Sequence, residues 1–236
     1  MFDPLIIFKA VFIKYWYVLL LFIIFIIFKN FLRSRHFKGW SGEKATSISL
    51  NLNLDPKVYK MFNDLIIPDT GGSTQIDHVV LSRYGIFVIE VKNYSGWIFG
   101  NEKNPNWTQV IHRTKNRFQN PLRQNYRHIK ALANFLKLEE KYFYSVIYFV
   151  GECAFKTKMP SNVINNNLSS YIESFRAPIL SLGKYERAVE AVSWLKDNPL
   201  ISRKKHIESL KENIPGKKLT INYETQGWEW KDVRNK

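Results

Sequence analysis

Two carboxylates and one ammonium group stand out in the segment between Gln75 and Lys92. Asp77 lies early in this segment, Glu90 and Lys92 close it, and most of the residues between them are apolar. A carboxylate buried without a partner in such a strand would cost several kcal/mol. Asp77 and Glu90 therefore need a compensating charge, and the two economical candidates are a bound cation and Lys92.

The elements that must position these groups are two strands joined by a tight turn. Residues 75–82 and 86–92 are apolar and rich in β-branched types on both faces, and the intervening residues 83–85 end in a glycine. Side chains alternate along a strand, so Glu90 and Lys92 share one face. Closure of this hairpin brings Asp77 opposite Glu90 or one step from it, and the three charged groups converge.

Such a cluster suits a hard divalent cation. Mg²⁺ and Mn²⁺ take oxygen ligands and bind through one or two carboxylates together with substrate phosphate oxygens. The backbone carbonyl of Val91 can join Asp77 and Glu90 as a ligand, while Lys92 orients a water or stabilises charge on a phosphate. The alternative is a buried ion pair between Lys92 and one of the two acids, with no catalytic duty.

The order Asp…Glu-x-Lys across a hairpin resembles the signature of the PD-(D/E)xK nuclease superfamily. Within it, residues 72–78 and 84–94 resemble the nuclease-related domain (NERD) family, and the likeness spans residues 42–136. The resemblance implies an α/β fold in which a mixed central β-sheet is flanked by helices, as in restriction endonucleases. It also implies a phosphodiesterase that needs Mg²⁺ or Mn²⁺ and acts on nucleic acid, with DNA favoured over RNA.

The resemblance adds Glu43 to the candidate site. Gly42 and Glu43 open a predicted helix that extends to about Leu54, and a helix in this place often contributes an acid to the metal site of the superfamily. The other interpretation is a carboxylate that is favourably placed in the first turn of a helix.

A second predicted helix adds Gln124. Asn120 and Pro121 have the side chains of an N-cap and a first-turn proline, and apolar residues then recur at helical spacing. The resemblance places Gln124 beside the catalytic strands, where its amide would hold a water or a phosphate. His128 lies on the same flank of this helix and is interpreted as a packed or solvated side chain.

Two other features are given structural interpretations. Pro68 and Asp69 form a literal Pro-Asp pair, but Gly71 and Gly72 follow closely and favour a turn, so Asp77 is preferred as the acid. Residues 93–119 are predicted to be a linker in which aromatic side chains alternate with cations. That mixture would suit contact with nucleic acid, but burial is the preferred interpretation of its tryptophans, Trp97 and Trp107.

The amino-terminal segment predicts a membrane anchor. Residues 10–28 contain one charge, at Lys14, and about 19 residues of helix would measure about 28 Å, close to a hydrocarbon core of about 30 Å. Cations rather than a small-residue cleavage site follow, which favours an uncleaved transmembrane helix over a signal peptide. The excess of cations after the helix predicts that the rest of the chain is cytoplasmic.

Composition and length limit the partners, the cysteine chemistry and the domain organisation that the chain can have. The 236 residues carry a net charge of +15, from 35 Lys and Arg against 20 Asp and Glu, which favours polyanionic partners. Cys153 is the sole cysteine, so an intrachain disulfide and a cysteine-rich zinc site are excluded. The predicted organisation is an anchor with a basic flank at 1–38, a nuclease-like domain at 39–198 and a basic extension at 199–236 that can dock on it.

Further elements are predicted after residue 136: a strand at 144–150, a helix at 184–196, a basic helix at 202–218 and a late strand from 219. The sequence therefore predicts a membrane-anchored, metal-dependent nuclease. The alternative is a non-catalytic module that keeps the fold and binds nucleic acid or a membrane surface.

Overall fold

A computed structural model of the chain describes residues 4–69, 72–197, 217–222 and 227–232. The chain divides into two compact units, Met1–Ser41 and Gly42–Lys236. The helices are α1 (Pro4–Arg33), α2 (Arg35–Asn53), α3 (Pro121–Leu136), α4 (Leu168–Glu173) and α5 (Leu182–Asp197), with a short 3₁₀ turn at Glu140–Tyr142. The strands are β1 (Lys60–Asp69), β2 (Gly72–Ser82), β3 (Gly85–Lys92), β4 (Gly96–Phe99), β5 (Asn106–Ile111), β6 (Thr114–Gln119), β7 (Phe143–Phe149), β8 (Cys153–Phe155), β9 (Val163–Ile164), β10 (Lys217–Asn222) and β11 (Gly227–Asp232).

The larger sheet has the strand order β1-β2-β3-β7-β9 and is mixed. Strands β1, β2 and β3 run antiparallel, whereas β7 lies parallel to β3, and β9 parallel to β7. The predicted hairpin is present, but Ser82 pairs with Gly85, so its turn is one residue shorter than expected. Helix α3 lies between β3 and β7 in the chain and packs on both, which is the predicted crossover.

Apolar side chains cover both faces of the central strands. One face packs against α3 and α5, through residues such as Val79, Val88 and Leu132. The other packs against α2 and α4, through residues such as Leu50, Phe87 and Ile172. Such two-sided burial explains why β2 and β3 lack the apolar-polar alternation of half-exposed strands.

The segment predicted to be a linker instead forms most of a second mixed sheet. Its strand order is β6-β5-β4-β8, in which β4 and β8 are parallel and the other neighbours antiparallel. Trp107 is buried and stacks on Phe149 with ring centroids 6.3 Å apart. Trp97 is 52% exposed, so the prediction of burial is right for Trp107 and wrong for Trp97.

The ends of the chain complete the description. Strands β10 and β11 form an antiparallel hairpin where a late strand was predicted. The predicted basic helix at 202–218 lies outside the described residues, except for Lys217 and Lys218, which begin β10.

Helix α2 contains the predicted helix around Glu43 and begins earlier, at Arg35. Over the residues that the structure describes, no helix combines the length and hydropathy needed to cross a membrane, so the predicted anchor lacks support there.

Asn120 joins the second sheet to α3. Its Oδ1 accepts a hydrogen bond from the backbone N–H of Leu122 at 2.9 Å, which is the predicted N-cap. Its Nδ2 donates to the carbonyls of Asn101, Glu102 and Asn104 at 3.2, 3.1 and 2.7 Å. The side chain is fully buried, so none of these groups can turn to water instead.

Replacement of Asn120 by alanine should therefore lower the free energy of unfolding by about 2–4 kcal/mol, since a helix cap and three loop carbonyls lose their buried partner together. Urea unfolding of the full chain would measure the loss. Asn51→Ala, at an exposed position of α2, is the matched control and should change stability by less than about 0.5 kcal/mol. Equal stabilities of the two variants would contradict the assigned role.

Candidate functional site

The β2–β3 hairpin brings the two predicted acids together. His78 pairs with Ile89, and one further step of the same register puts Asp77 opposite Glu90. The other neighbour of β2 is β1, and the ladder between these two strands is interrupted beside Asp77. It skips the position where Asp64 would pair with Asp77, and Asp64 has a left-handed φ of 54°. Asp77 thus lies where regular pairing stops, and beyond this point a backbone N–H of β3, that of Val91, is bound by the Asp77 side chain instead.

Lys92 connects β3 to α3. Its Nζ lies 2.5 Å from Oε1 of Glu90 and donates to Oε1 of Gln124 at 3.1 Å. Burial alone would lower the pKa of Lys92, but the Glu90 carboxylate, with a smaller contribution from Asp77, raises it above its ordinary value. The side chain is therefore a held ammonium ion at neutral pH. The ion pair that the sequence left as an alternative is present, and Gln124 shares it.

Asp77 is held in a different way. Its Oδ2 accepts a hydrogen bond from the backbone N–H of Val91 at 2.8 Å. Burial and the nearby charge of Glu90 raise the pKa of Asp77 well above its ordinary value, against the effects of that hydrogen bond and of Lys92. The N–H and C=O of one strand residue point to the same side of the strand. The next carbonyl along β3, that of Lys92, points to the β7 side and accepts a hydrogen bond from the N–H of Val150. The carbonyl of Val91 therefore faces the gap beside Asp77.

Glu43 reaches the same region from α2. Its charge contributes to the raised pKa of Asp77. Gly42 makes this approach possible, because a Cβ on it would lie 2.7 Å from Cβ of Asn93 and 2.9 Å from Cγ1 of Val150. A larger residue would push the start of this part of α2 away from the end of β3.

His128 is the residue that the sequence interpretation undervalued. It is packed, as expected, but it is packed on the site: Nε2 lies 3.1 Å from Oε2 of Glu90, and Nδ1 lies 2.8 Å from Oγ1 of Thr74. A carboxylate only accepts, so Nε2 donates to Glu90. Burial would raise the pKa of Glu90, but His128 and Lys92 together hold it below its ordinary value. The available signal was the i, i+4 spacing of Gln124 and His128 on one helix.

Asp69, which the sequence analysis rejected in favour of Asp77, forms its contacts with residues outside this cluster. It is the last residue of β1 and pairs with Gly72, so its exclusion from the sheet was wrong, although it does lie at the predicted chain reversal. Its Oδ2 is 2.5 Å from Nε of Arg127, an ion pair that is partly exposed.

The oxygen ligands that the cluster offers are of the kind that a divalent cation binds. Asp77 and Glu90 are neighbouring carboxylates, and the repulsion that raises the pKa of Asp77 is what a cation would relieve. As placed, both oxygens of Glu90 are already engaged, by Lys92 and His128. Accordingly, within the described residues no group of three or more His, Cys, Asp or Glu side chains is arranged around a common metal position.

Comparison with known proteins identifies the family. The family model for the nuclease-related domain matches residues 38–150, the stretch that holds every side chain of this cluster. The chain belongs to the nuclease-related domain (NERD) family. This confirms the resemblance and is consistent with the PD-(D/E)xK nuclease superfamily.

A curated relative is similar over about two thirds of its own length. An uncharacterized protein of Bacillus anthracis is 40% identical over 144 residues, which cover 58% of this chain and 67% of the relative. No solved structure matches the chain. For this NERD protein, the catalytic roles of Asp77, Glu90, Lys92, Gln124 and Glu43, and metal binding by Asp77, Glu90 and Val91, stay predictions.

The raised pKa of Asp77 makes a prediction about stability. A carboxyl group whose pKa is higher in the folded than in the unfolded chain stabilises the fold when protonated, and that contribution is lost as the pH rises through the folded-state value. Asp77→Asn removes the charge and keeps an oxygen for Val91. At pH 7–8 without divalent metal, the variant should therefore melt roughly 2–4 °C above the wild type.

Thermal melts of the full chain between pH 3 and 8 would test this, with Asp197→Asn at an exposed position of α5 as the control. The difference should vanish near pH 3, below the ordinary aspartate pKa of about 3.9. Mn²⁺ should raise the melting temperature of the wild type and of the control, but not that of Asp77→Asn. A variant that is less stable than the wild type at pH 8 would show that the ionised carboxylate of Asp77 does not destabilise the fold.

Proposed function

We propose that this protein is a metal-dependent nuclease that hydrolyses phosphodiester bonds of nucleic acid, with DNA favoured over RNA. The observation that carries the proposal is the convergence of Asp77, Glu90 and Lys92 on neighbouring strands, in the order that the family implies. The net charge of +15 supports a polyanionic substrate. The proposed fold assignment, restriction-endonuclease-like, agrees with the mixed sheet and its α3 crossover.

Asp77, Glu90 and the carbonyl of Val91 would hold Mg²⁺ or Mn²⁺, with Glu43 adding negative charge nearby. A bound divalent ion would polarise the phosphodiester and lower the pKa of a bound water. Engagement of Glu90 by the ion would require its carboxylate to share or exchange the contact with Lys92.

The raised pKa of Lys92 is compatible with both roles suggested for it. A held ammonium ion is a poor proton acceptor, so Lys92 would orient the attacking water or stabilise negative charge on the phosphate oxygens, and would not deprotonate the water. Gln124 keeps Nζ in position through its side-chain oxygen and leaves its own NH₂ group as a donor to phosphate. His128 orients Glu90 from the opposite side.

A cleavage assay tests the proposal. The purified full chain should cut a panel of DNA and RNA substrates with Mg²⁺ or Mn²⁺ and not with EDTA. Lys92→Met should reduce the rate by about 10²–10³-fold, the usual cost of removing one charge-stabilising donor. Lys141→Met replaces an exposed lysine that pairs with Glu139, and it should cut at the wild-type rate. Undiminished cleavage by Lys92→Met would remove the catalytic assignment.

A second candidate function is a non-catalytic module that binds nucleic acid or a membrane surface. The observation that favours it is the engagement of both Glu90 oxygens by Lys92 and His128, which compensates the charge of Glu90 without a metal. It predicts salt-sensitive binding of nucleic acid and no turnover with any divalent metal, and preferential binding to anionic vesicles would indicate the membrane-surface version.

Membrane attachment through residues 10–28, with the remaining chain in the cytoplasm, is the part of the proposal that concerns location. Its support is the row of exposed apolar side chains on α1 between Tyr15 and Phe31. The full chain should stay in the membrane pellet after alkaline washing. Ile23→Lys with Ile27→Lys should release it, whereas Ile48→Lys on α2, equally exposed, should not. A wild-type chain found in the soluble fraction would contradict attachment.

A further inference from the structure

The outer face of the second sheet combines aromatic and cationic side chains. Trp97 pairs with Val110, and Val110 pairs with Lys115; Phe99 pairs with Thr108, which pairs with Arg117. Directly paired residues point to the same face of a sheet. Trp97, Phe99, Lys115 and Arg117 therefore share one face, and Lys115 and Arg117 are exposed on its edge strand.

The opposite face of the same sheet is closed. Ile98 and Trp107 are buried there and pack with Phe118, Phe155 and Phe149. Trp97 and Phe99 alternate with Ile98 along β4, so the pleat directs them away from this core. The 52% exposure of Trp97 is thus imposed by the register of the strand and is not a frayed end.

A third cation lies against the exposed ring. Nζ of Lys156, which follows β8, is 4.9 Å from the centroid of the Trp97 ring. Lys156 lies over one face of the ring, and Lys115 and Arg117 lie two strands away across the sheet, about 10 Å at the usual strand spacing. Glu152 is an exposed carboxylate near the β8 end, so the cations outnumber the acid among these side chains.

We infer that this face, formed by Trp97, Phe99, Lys115, Arg117 and Lys156 and here called the platform, binds single-stranded nucleic acid. An unpaired base stacks on an exposed indole whatever its identity, while cations around the indole contact the neighbouring phosphates. A duplex offers no free base face to Trp97, so single strands are the occupant that the platform fits.

The platform also lies close to the candidate catalytic residues along the chain. Trp97 follows Lys92 by five residues, and a segment of that length spans at most about 18 Å. At the roughly 3.4 Å per nucleotide of a stacked strand, about five nucleotides or fewer would bridge the two. The inference rests on the proposed function for its choice of polyanion, and it adds that the strand is unpaired where it meets the platform.

Binding without cleavage tests the inference. The full chain in EDTA, which withholds the divalent metal, would be titrated with fluorescein-labelled 12-nucleotide DNA, the same sequence as RNA, and the matching DNA duplex, with anisotropy as the readout. Single strands should bind more tightly than the duplex. Trp97→Ala should weaken single-strand binding by roughly 5- to 100-fold, and Trp97→Phe, which keeps a ring, should recover most of the affinity.

Two controls separate stacking from charge and from damage to the fold. Trp194→Ala removes a partly exposed tryptophan from α5 and should leave the affinity unchanged. Lys115→Gln with Arg117→Gln should flatten the slope of log affinity against log salt by about 1.4, at about 0.7 per phosphate contact on a single strand. Thermal melts should show the variants folded, as expected for exposed positions.

The outcomes distinguish this inference from the proposed function. Wild-type affinity in Trp97→Ala, or equal affinity for duplex and single strand, would overturn the platform even where Lys92→Met abolishes cleavage. Binding that depends on Trp97 in a chain that cuts no substrate would support the platform and refute only the nuclease. Equal binding of RNA and DNA supports the platform, since stacking does not use the 2′-hydroxyl.

Discussion

The burial of Glu90 is the constraint on which the rest of the site depends. Its side chain is only 3% exposed, on a central strand packed on both faces, where an unpaired carboxylate would be very costly. Lys92 on the same strand and His128 on α3 supply the charge and the hydrogen bond that make it tolerable. Because His128 belongs to α3, the same requirement ties the crossover helix to the sheet and brings Gln124 within reach of Lys92.

Asp77 has the opposite character. Glu90 has partners for both oxygens and a lowered pKa, whereas Asp77 is placed against the charges of Glu90 and Glu43 and has a raised pKa. A fold without a function would gain by replacing such a residue with a neutral one. A divalent cation would turn the same repulsion into attraction, and this asymmetry between two neighbouring acids is the physical argument for a catalytic site over a structural ion pair.

The two sheets carry different kinds of side chain. The larger sheet holds the charged cluster in a rigid setting, between cores on both of its faces. The smaller sheet buries one face on Phe149 and its neighbours and leaves aromatic and basic side chains on the other. Asn120 fixes the join between them, since its amide binds the β4–β5 loop and caps α3 at the same time.

Local pattern determined a large part of this protein. The composition of residues 75–92 specified a buried hairpin, the Asn120-Pro121 pair specified the start of α3, and the order of Asp77, Glu90 and Lys92 pointed to the family that the comparison confirmed. These features depend on residues close together in the chain, where strand alternation, helix capping and turn preferences act directly. Only the tertiary structure decided that His128 supports Glu90, that residues 93–119 form a sheet, and that Trp97 faces solvent while Trp107 is buried. Each of these depends on pairing or packing between distant segments, and the energy of such contacts comes from partners that no short stretch of sequence contains.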